Sequence, residues 1–147
     1  MSFTGPIEDR IAIRELMESY ACAVMEIDAD AWGATWAEDA FWELPEVPDL
    51  EGFQGRAAIV QAWVGSMKMY GLEDCTKPMI YTVMPGRIAI EGDRAQAVCF
   101  TSEIYQDPET RKETRVRGRY DDSLVKAGGQ WRFARRSYRI MHMAMFG

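Results

Sequence analysis

The sequence predicts an α+β fold in which helices come first and a largely antiparallel sheet follows. Apolar residues recur at helical spacing over three segments of the first half of the chain. In the second half they alternate with a period of two, and turn sequences rich in glycine and aspartate separate the alternating segments. Because runs of helices followed by runs of strands do not form alternating βαβ units, we expect helices packed on one face of a sheet.

The helical half begins with a long amphipathic segment that Pro6 can open at its first turn. The predicted helices span about residues 7–25, then from Asp28 or Asp30 through Trp32 and Trp36, and finally 57–70. A short strand over residues 40–44 follows the second helix. Residues 45–55 form a loop rich in proline, glycine and acidic side chains.

Four long strands are predicted near residues 79–91, 94–106, 112–126 and 130–143. The breaks between them are Glu91-Gly92-Asp93, Asp107-Pro108 and Gly128-Gly129. Pro85-Gly86 inside the first of these strands predicts a bulge or bend. A strongly curved sheet cannot lie flat on helices, so it leaves a hollow, and we expect the functional site there.

Composition sets the class of protein. A chain of 147 residues fits one domain, 1–147. The net charge of −6 argues against nucleic-acid binding. No apolar run is long enough to cross a membrane, and the N-terminus lacks a signal-peptide pattern, so we expect a cytoplasmic protein. One histidine and three cysteines without CxxC spacing predict neither a metal centre nor a disulfide framework, and no cofactor is expected.

Several short motifs occur along nearly the whole chain. They are Asp9-x-x-Ala12-Ile13-x-x-Leu16-x-x-x-Tyr20, Trp36-Ala37-Glu38-Asp39-Ala40-x-Trp42, Gly55-x-x-Ala58-Ile59, Ile90-x-Gly92-Asp93-x-Ala95, Gly118-x-Tyr120-x-Asp122-x-Leu124 and Gly129-x-Trp131-x-Phe133. In this order they resemble the SnoaL-like family of the nuclear-transport-factor-2-like superfamily. The resemblance implies a cone-shaped barrel of three N-terminal helices packed on a strongly curved, mostly antiparallel sheet that encloses a pocket. It also implies a homodimer formed through the sheet.

Members of this family include polyketide cyclases, scytalone dehydratase, ketosteroid isomerase, bile acid dehydratase and hexachlorocyclohexane dehydrochlorinase. In the dehydratase and dehydrochlorinase members, an aspartate five residues after a tyrosine of the first helix orients a proton-accepting histidine on the first long strand. Tyr20 matches that tyrosine, but Met25 and Tyr81 stand at the positions of the aspartate and the histidine. Methionine has no charge and the tyrosine pKa is ordinarily about 10, so the dyad is absent.

Other members imply further candidates. The base of ketosteroid isomerase would fall at Leu44, and its oxyanion-binding acid would fall at Asp121. Neighbouring strand residues point to opposite faces, so only one of Asp121 and Asp122 can face the hollow. The resemblance favours Asp121 and the apolar alternation favours Asp122, and both stay open. Arg139 lies close to the position of an arginine that bile acid dehydratase uses.

His142 is a further candidate because its side chain is the only one with an ordinary pKa near neutrality. It lies near the end of the last predicted strand, at the expected mouth of the cone. The expected pocket wall consists of Met25, Trp32, Trp42, Leu44, Trp63 and Met84.

The sequence thus predicts a SnoaL-like protein that binds a small hydrophobic molecule. As an enzyme, it would be a cofactor-free lyase or isomerase acting on a hydrophobic or polycyclic substrate. Tyr20 and Tyr81 would then polarise a substrate oxygen, and Asp121, Asp122 or His142 would move the proton. The alternative is a non-catalytic ligand-binding or structural subunit with the same fold.

Overall fold

The computed structural model describes residues 2–73 and 79–147. Its elements in chain order are α1 (Ile7–Glu26), α2 (Ala29–Ala34), β1 (Trp36–Glu43), β2 (Gly52–Gln54), α3 (Arg56–Met69), β3 (Ile80–Glu91), β4 (Arg94–Gln106), β5 (Glu113–Ala127) and β6 (Gln130–Phe146). None of the helices in the described ranges is both long and apolar enough to cross a membrane.

The six strands form one sheet in the order β2-β1-β6-β5-β4-β3. Strands β1 and β6 run parallel, and every other neighbouring pair is antiparallel. The predicted α+β class, three helices on a mostly antiparallel sheet, is therefore confirmed. The sheet does not close into a barrel, because β2 and β3 remain at its edges.

The helices cover one face of the sheet, which we call the inner face. Side chains of α1, α2 and α3 pack there on alternate residues of the strands, and Ile13, Trp32, Ile59 and Phe133 lose all solvent exposure. Burial of this apolar surface supplies the main favourable free energy of folding. The opposite side of the sheet is the outer face.

The predicted second helix was wrong at its end, because Trp36 begins β1 instead of continuing α2. The Phe133 N–H donates a hydrogen bond to the Thr35 carbonyl at 2.9 Å, and Trp36 pairs with Phe133 in the sheet. The Arg56 side chain also donates to the Trp36 carbonyl, with Nε at 2.9 Å. These partners from distant segments satisfy backbone groups that a longer helix would have used.

Bulges bend the long strands. The predicted irregularity at Pro85-Gly86 is confirmed, since the pairing of β3 with β4 shifts between Pro85 and Ile88. The pairing of β5 with β6 shifts twice, once between Ser123 and Leu124 and once between Arg117 and Gly118. Each shift changes which residues of β6 face inward.

Candidate functional site

The described residues enclose a cavity of about 300 Å³ between the helices and the inner face. All six tyrosines of the chain line it. Its other lining residues are mainly apolar, and the full lining consists of Tyr20, Val24, Trp42, Leu44, Glu46, Val47, Trp63, Ser66, Met67, Tyr70, Leu72, Met79, Tyr81, Glu103, Tyr105, Val116, Tyr120, Tyr138, Ile140 and Met143.

Strand register brings the polar side chains of the wall together. Tyr81 on β3 pairs with Glu103 on β4, which in turn pairs with Val116 on β5. Further along β5, Tyr120 pairs with Tyr138 on β6. Because directly paired residues project to the same face, a phenol and a carboxyl lie side by side in the first row and two phenols in the second.

The deepest polar groups form a short hydrogen-bonded chain. The Trp42 Nε1–H donates to the Tyr120 hydroxyl at 3.2 Å, and the Tyr120 and Tyr20 hydroxyls lie 3.4 Å apart. Burial raises the pKa of Tyr20 to about 12, and it also raises the pKa of Tyr120 well above its usual value. Both phenols are therefore protonated at neutral pH. When Tyr120 donates to Tyr20, the Tyr20 proton is left to donate to a ligand oxygen.

Glu103 is one of two acids in the wall of this cavity, together with Glu46. Burial raises the pKa of its carboxyl from 4.5 to about 7, so the group is poised between its two protonation states at neutral pH. Burial also raises the pKa values of nearby phenols, and the negative charge of Glu103 adds to that increase for Tyr20, Tyr81, Tyr105 and Tyr138. A carboxyl with a pKa near the working pH can both accept and donate a proton.

A buried ion pair supports the floor of the cavity. The Arg136 Nε donates to the Asp122 carboxylate at 2.7 Å, and both side chains are almost fully buried. The guanidinium carbon lies 4.5 Å from the ring centre of Tyr20 and 3.8 Å from that of Tyr120. Burial opposes the charge on Arg136, but the Asp122 carboxylate more than offsets this and holds the Arg136 pKa above its usual value. The two floor tyrosines thus rest on the guanidinium side of a neutral ion pair.

A glycine makes room for one wall tyrosine. A Cβ placed on Gly118 would lie 2.1 Å from the Tyr138 ring. This close approach lets Tyr138 stack on Tyr120, with ring centres 4.8 Å apart. The Tyr138 hydroxyl is buried and has no hydrogen-bond partner among the described residues. It is available to a bound molecule in the cavity that its ring lines.

Of the site residues expected from the sequence, five line this cavity: Tyr20, Trp42, Leu44, Trp63 and Tyr81. Asp122 faces inward but lies beneath the floor, where it is paired with Arg136. Trp32 is fully buried in the core and stacks on Trp63 with ring centres 4.7 Å apart. Met25 is a partly buried residue packed against the core, and neither it nor Trp32 lines the cavity.

The remaining expected residues lie on the outer face, where they cannot reach the cavity. Asp121 forms an ion pair with Arg119 at 2.9 Å, because the alternation that turns Asp122 inward turns Asp121 outward. Arg139 is exposed and lies 3.9 Å from Asp121. His142 is exposed, and Met84 has 61% of its surface exposed; both border a shallow groove on the outer face.

Sequence reasoning missed Glu103 and the hydroxyl of Tyr120. Glu103 lies on a strand that was predicted with its observed bounds, 94–106. Cys99 and Tyr105 lie on the same face of this strand as Glu103, so an acid among less polar residues was the one signal in the sequence. The other set of positions includes Val98 and Phe100, which are also apolar, so the alternation did not identify the inner face.

Comparison with known proteins places this geometry in a family. The SnoaL-like domain family matches residues 6–137. No curated protein matches the sequence.

Several solved structures share the fold. A protein proposed to be a scytalone dehydratase, from Novosphingobium aromaticivorans, is 20% identical with a TM-score of 0.81, over 96% of this chain and 89% of that one. A nuclear-transport-factor-2-like protein with a cystatin-like fold from the same organism is 25% identical with a TM-score of 0.70, over 92% and 83%. A type-3 hexachlorocyclohexane dehydrochlorinase from Novosphingobium barchaimii is 13% identical with a TM-score of 0.80, over 96% and 92%. Likeness at this level of identity establishes a common fold and leaves the reaction open. The match over residues 6–137 shows that the chain belongs to the SnoaL-like domain family.

Proposed function

We propose that this protein binds a small hydrophobic ring compound in the tyrosine-lined cavity and catalyses a proton transfer on it without a cofactor, as a lyase or an isomerase. The observation that carries the proposal is the position of the Glu103 carboxyl in the wall of this cavity, paired with Tyr81 in the sheet. Burial there raises its pKa to about 7, within the working range of a general base or acid. Glu103 takes the role that Asp121, Asp122 and His142 were expected to fill. Met25 and Tyr81 replace the dyad that other members use.

The proposed step begins at a carbon next to a substrate carbonyl. The Glu103 carboxylate removes a proton from that carbon, and the electron pair of the broken C–H bond moves toward the carbonyl oxygen. Tyr20 and Tyr81 donate hydrogen bonds to the developing oxyanion. Protonated Glu103 then returns the proton to another carbon in an isomerisation, or a leaving group departs from the neighbouring carbon in an elimination.

A non-catalytic ligand-binding or structural subunit is the second candidate. Met25 and Tyr81 at the dyad positions favour it, because neither side chain can serve as the aspartate or the histidine. The two candidates differ in one respect that can be measured, which is whether Glu103 exchanges protons with carbon acids bound in the cavity.

Deuterium exchange tests the proposal. The purified protein is incubated in deuterium oxide with cyclohexanone, indanone and tetralone, and proton NMR follows the loss of the hydrogens next to the carbonyl. We expect exchange above the buffer rate for at least one ketone. Glu103→Gln is expected to slow it by about 10²–10⁴-fold, because general acid–base catalysis has that magnitude. Tyr20→Phe is expected to slow it by roughly 10²-fold through loss of an oxyanion donor.

The rate should rise with pH and level off above about pH 7, since the base acts in its ionised form. Glu109→Gln, which alters an exposed acid outside the cavity, is the matched control and should exchange at the wild-type rate. If the Glu103→Gln variant and the wild type exchange all three ketones equally, the proton-transfer role is wrong and the binding subunit is the better description.

The proposal extends to a homodimer formed through the outer face of the sheet. Ile80, Met84 and Met141 on this face are 50%, 61% and 62% exposed, and exposed apolar patches mark association surfaces. We expect sedimentation to give twice the chain mass for the wild type, and Met84→Glu to weaken the association by roughly tenfold or more through burial of a charge. A wild-type protein that sediments as a monomer at all concentrations would contradict this part of the proposal.

A further inference from the structure

The charged groups in the cavity wall all have the same sign. Glu46 and Glu103 line the cavity, and no lysine, arginine or histidine lines it within residues 2–73 and 79–147. Burial in this wall removes water from Glu103 and so raises its pKa. A carboxylate in such surroundings is stabilised most by a positive charge brought in by a ligand.

The ion pair beneath the cavity floor does not offset the negative charge of the two wall carboxyls. The Arg136 guanidinium lies beneath Tyr20 and Tyr120, but Asp122 neutralises it at 2.7 Å. The pair contributes no net charge to the cavity. The two wall carboxyls therefore determine the sign of charge that the cavity prefers.

The rest of the wall is unusually rich in π-electron surface. Six tyrosines and two tryptophans, Trp42 and Trp63, line a space of about 300 Å³. Rings of this type attract cations through their quadrupole, and several rings together recognise ammonium groups. A neutral ring compound would also gain from this wall, through apolar contact, ring stacking and tyrosine hydrogen bonds. The combination of rings with carboxyls is therefore what favours a cation over it.

The segment that contributes Glu46 and Val47 to the cavity wall is acidic as well. The segment between β1 and β2 carries the exposed acids Glu46, Asp49 and Glu51 and no basic residue. The Glu46 carboxylate accepts a hydrogen bond from the Ile140 N–H at 3.0 Å, which fixes one acid of this segment against β6. Acidic side chains in a segment beside the cavity raise the local concentration of cations and speed their association.

We propose that the ligand of this cavity carries a cationic nitrogen, either quaternary or a protonated amine, on a hydrophobic frame, with the nitrogen held near Glu103 among the aromatic side chains. The inference rests on the proposed function in one respect, namely that this cavity is the substrate site. It adds the charge of the substrate, which the proton-transfer proposal leaves open.

A pair of isosteric probes separates charge from shape. Choline is compared with dimethylbutanol, in which a tert-butyl group replaces the trimethylammonium group. Each is titrated into the purified protein, and NMR follows the indole N–H signals, which Trp42 and Trp63 contribute from the cavity wall. We expect choline to bind at least tenfold more tightly than dimethylbutanol.

Variants assign the difference to the acid in the wall. Glu103→Gln should reduce the preference for choline to threefold or less while leaving the affinity for dimethylbutanol within twofold of the wild type. Glu109→Gln, outside the cavity, should keep the full preference.

Equal binding of the two probes, or tighter binding of dimethylbutanol, would overturn the charge inference and leave the proposed cavity function intact. If neither probe binds, the charge inference is wrong, and ketone exchange decides the proposed function separately. Ketone exchange that depends on Glu103, together with no preference for choline, would show that the proton-transfer proposal holds and this one does not.

Discussion

Replacing Asp122 with asparagine is expected to lower the free energy of unfolding by about 3–5 kcal/mol. The reason is the Arg136 side chain, which is 1% exposed and whose charge is neutralised by the Asp122 carboxylate. An asparagine oxygen can still accept a hydrogen bond, but it leaves a buried cation without its counter-charge. Urea unfolding at pH 7, followed by tryptophan fluorescence, measures the loss.

The neighbouring residue provides a matched control. Asp121 also pairs with an arginine, Arg119, but on the outer face, where the two side chains are 46% and 29% exposed. Exposed pairs contribute about 0–1 kcal/mol, so Asp121→Asn should lose no more than that. Equal losses in the two variants would refute the importance of the buried pair. In the double variant Asp122→Leu with Arg136→Met, most of the lost stability should return, because the buried charges are removed together.

The second large effect is a gain in stability at alkaline pH when Glu103 is replaced with glutamine. The Glu103 carboxyl titrates near 4.5 in the unfolded chain and near 7 in the folded protein. Between these values the folded state binds more protons than the unfolded state, so the free energy of unfolding falls as the pH rises. The loss is absent below about pH 4.5 and complete above about pH 7. At about 1.4 kcal/mol for each pKa unit, the complete penalty is about 3 kcal/mol.

Glutamine does not titrate, so this penalty disappears in the variant. The difference in unfolding free energy, Glu103→Gln minus wild type, should therefore become more positive by about 2–3 kcal/mol between pH 5 and pH 8. Urea unfolding at intervals of one pH unit measures it. Glu109→Gln should give a difference that stays flat over the same range. A flat difference for Glu103→Gln as well would mean that the carboxyl is not desolvated, and the proposed base would lose its main support.

Most of the fold could be predicted from the sequence, because its signals are local. Alternation and turn residues placed β3 to β6 within a few residues of their observed bounds, and the 3.6-residue spacing placed α1 and α3 equally well. The error at Trp36 had a non-local cause. Its backbone pairs with Phe133 and Arg56, and neither partner is evident from the residues near Trp36.

The candidate site was harder to predict because it depends on which residues of the long strands point to the inner face of the sheet. Alternation from Trp131 and Phe133 would turn Arg135 inward, but the shift in pairing at Ala134 turns Arg136 inward instead. That single extra residue places a cation under the floor tyrosines. Residues 131–137 contain no glycine or proline that would have predicted this shift.

The parallel pairing of β1 with β6 also determines when the cavity can exist. Trp36 and Trp42 pair with Phe133 and Arg136, partners from the opposite part of the chain, so the centre of the sheet closes only through contacts of very long sequence separation. Such contacts form late in folding and slow it. β6 pairs with β5 across the short turn at Gly128-Gly129, so until β1 is in place it is β6 that exposes an unpaired edge, and the cavity wall lacks Trp42. The cavity is therefore complete only after these distant parts of the chain have met, and a chain caught before that point is prone to associate through its open strand edges.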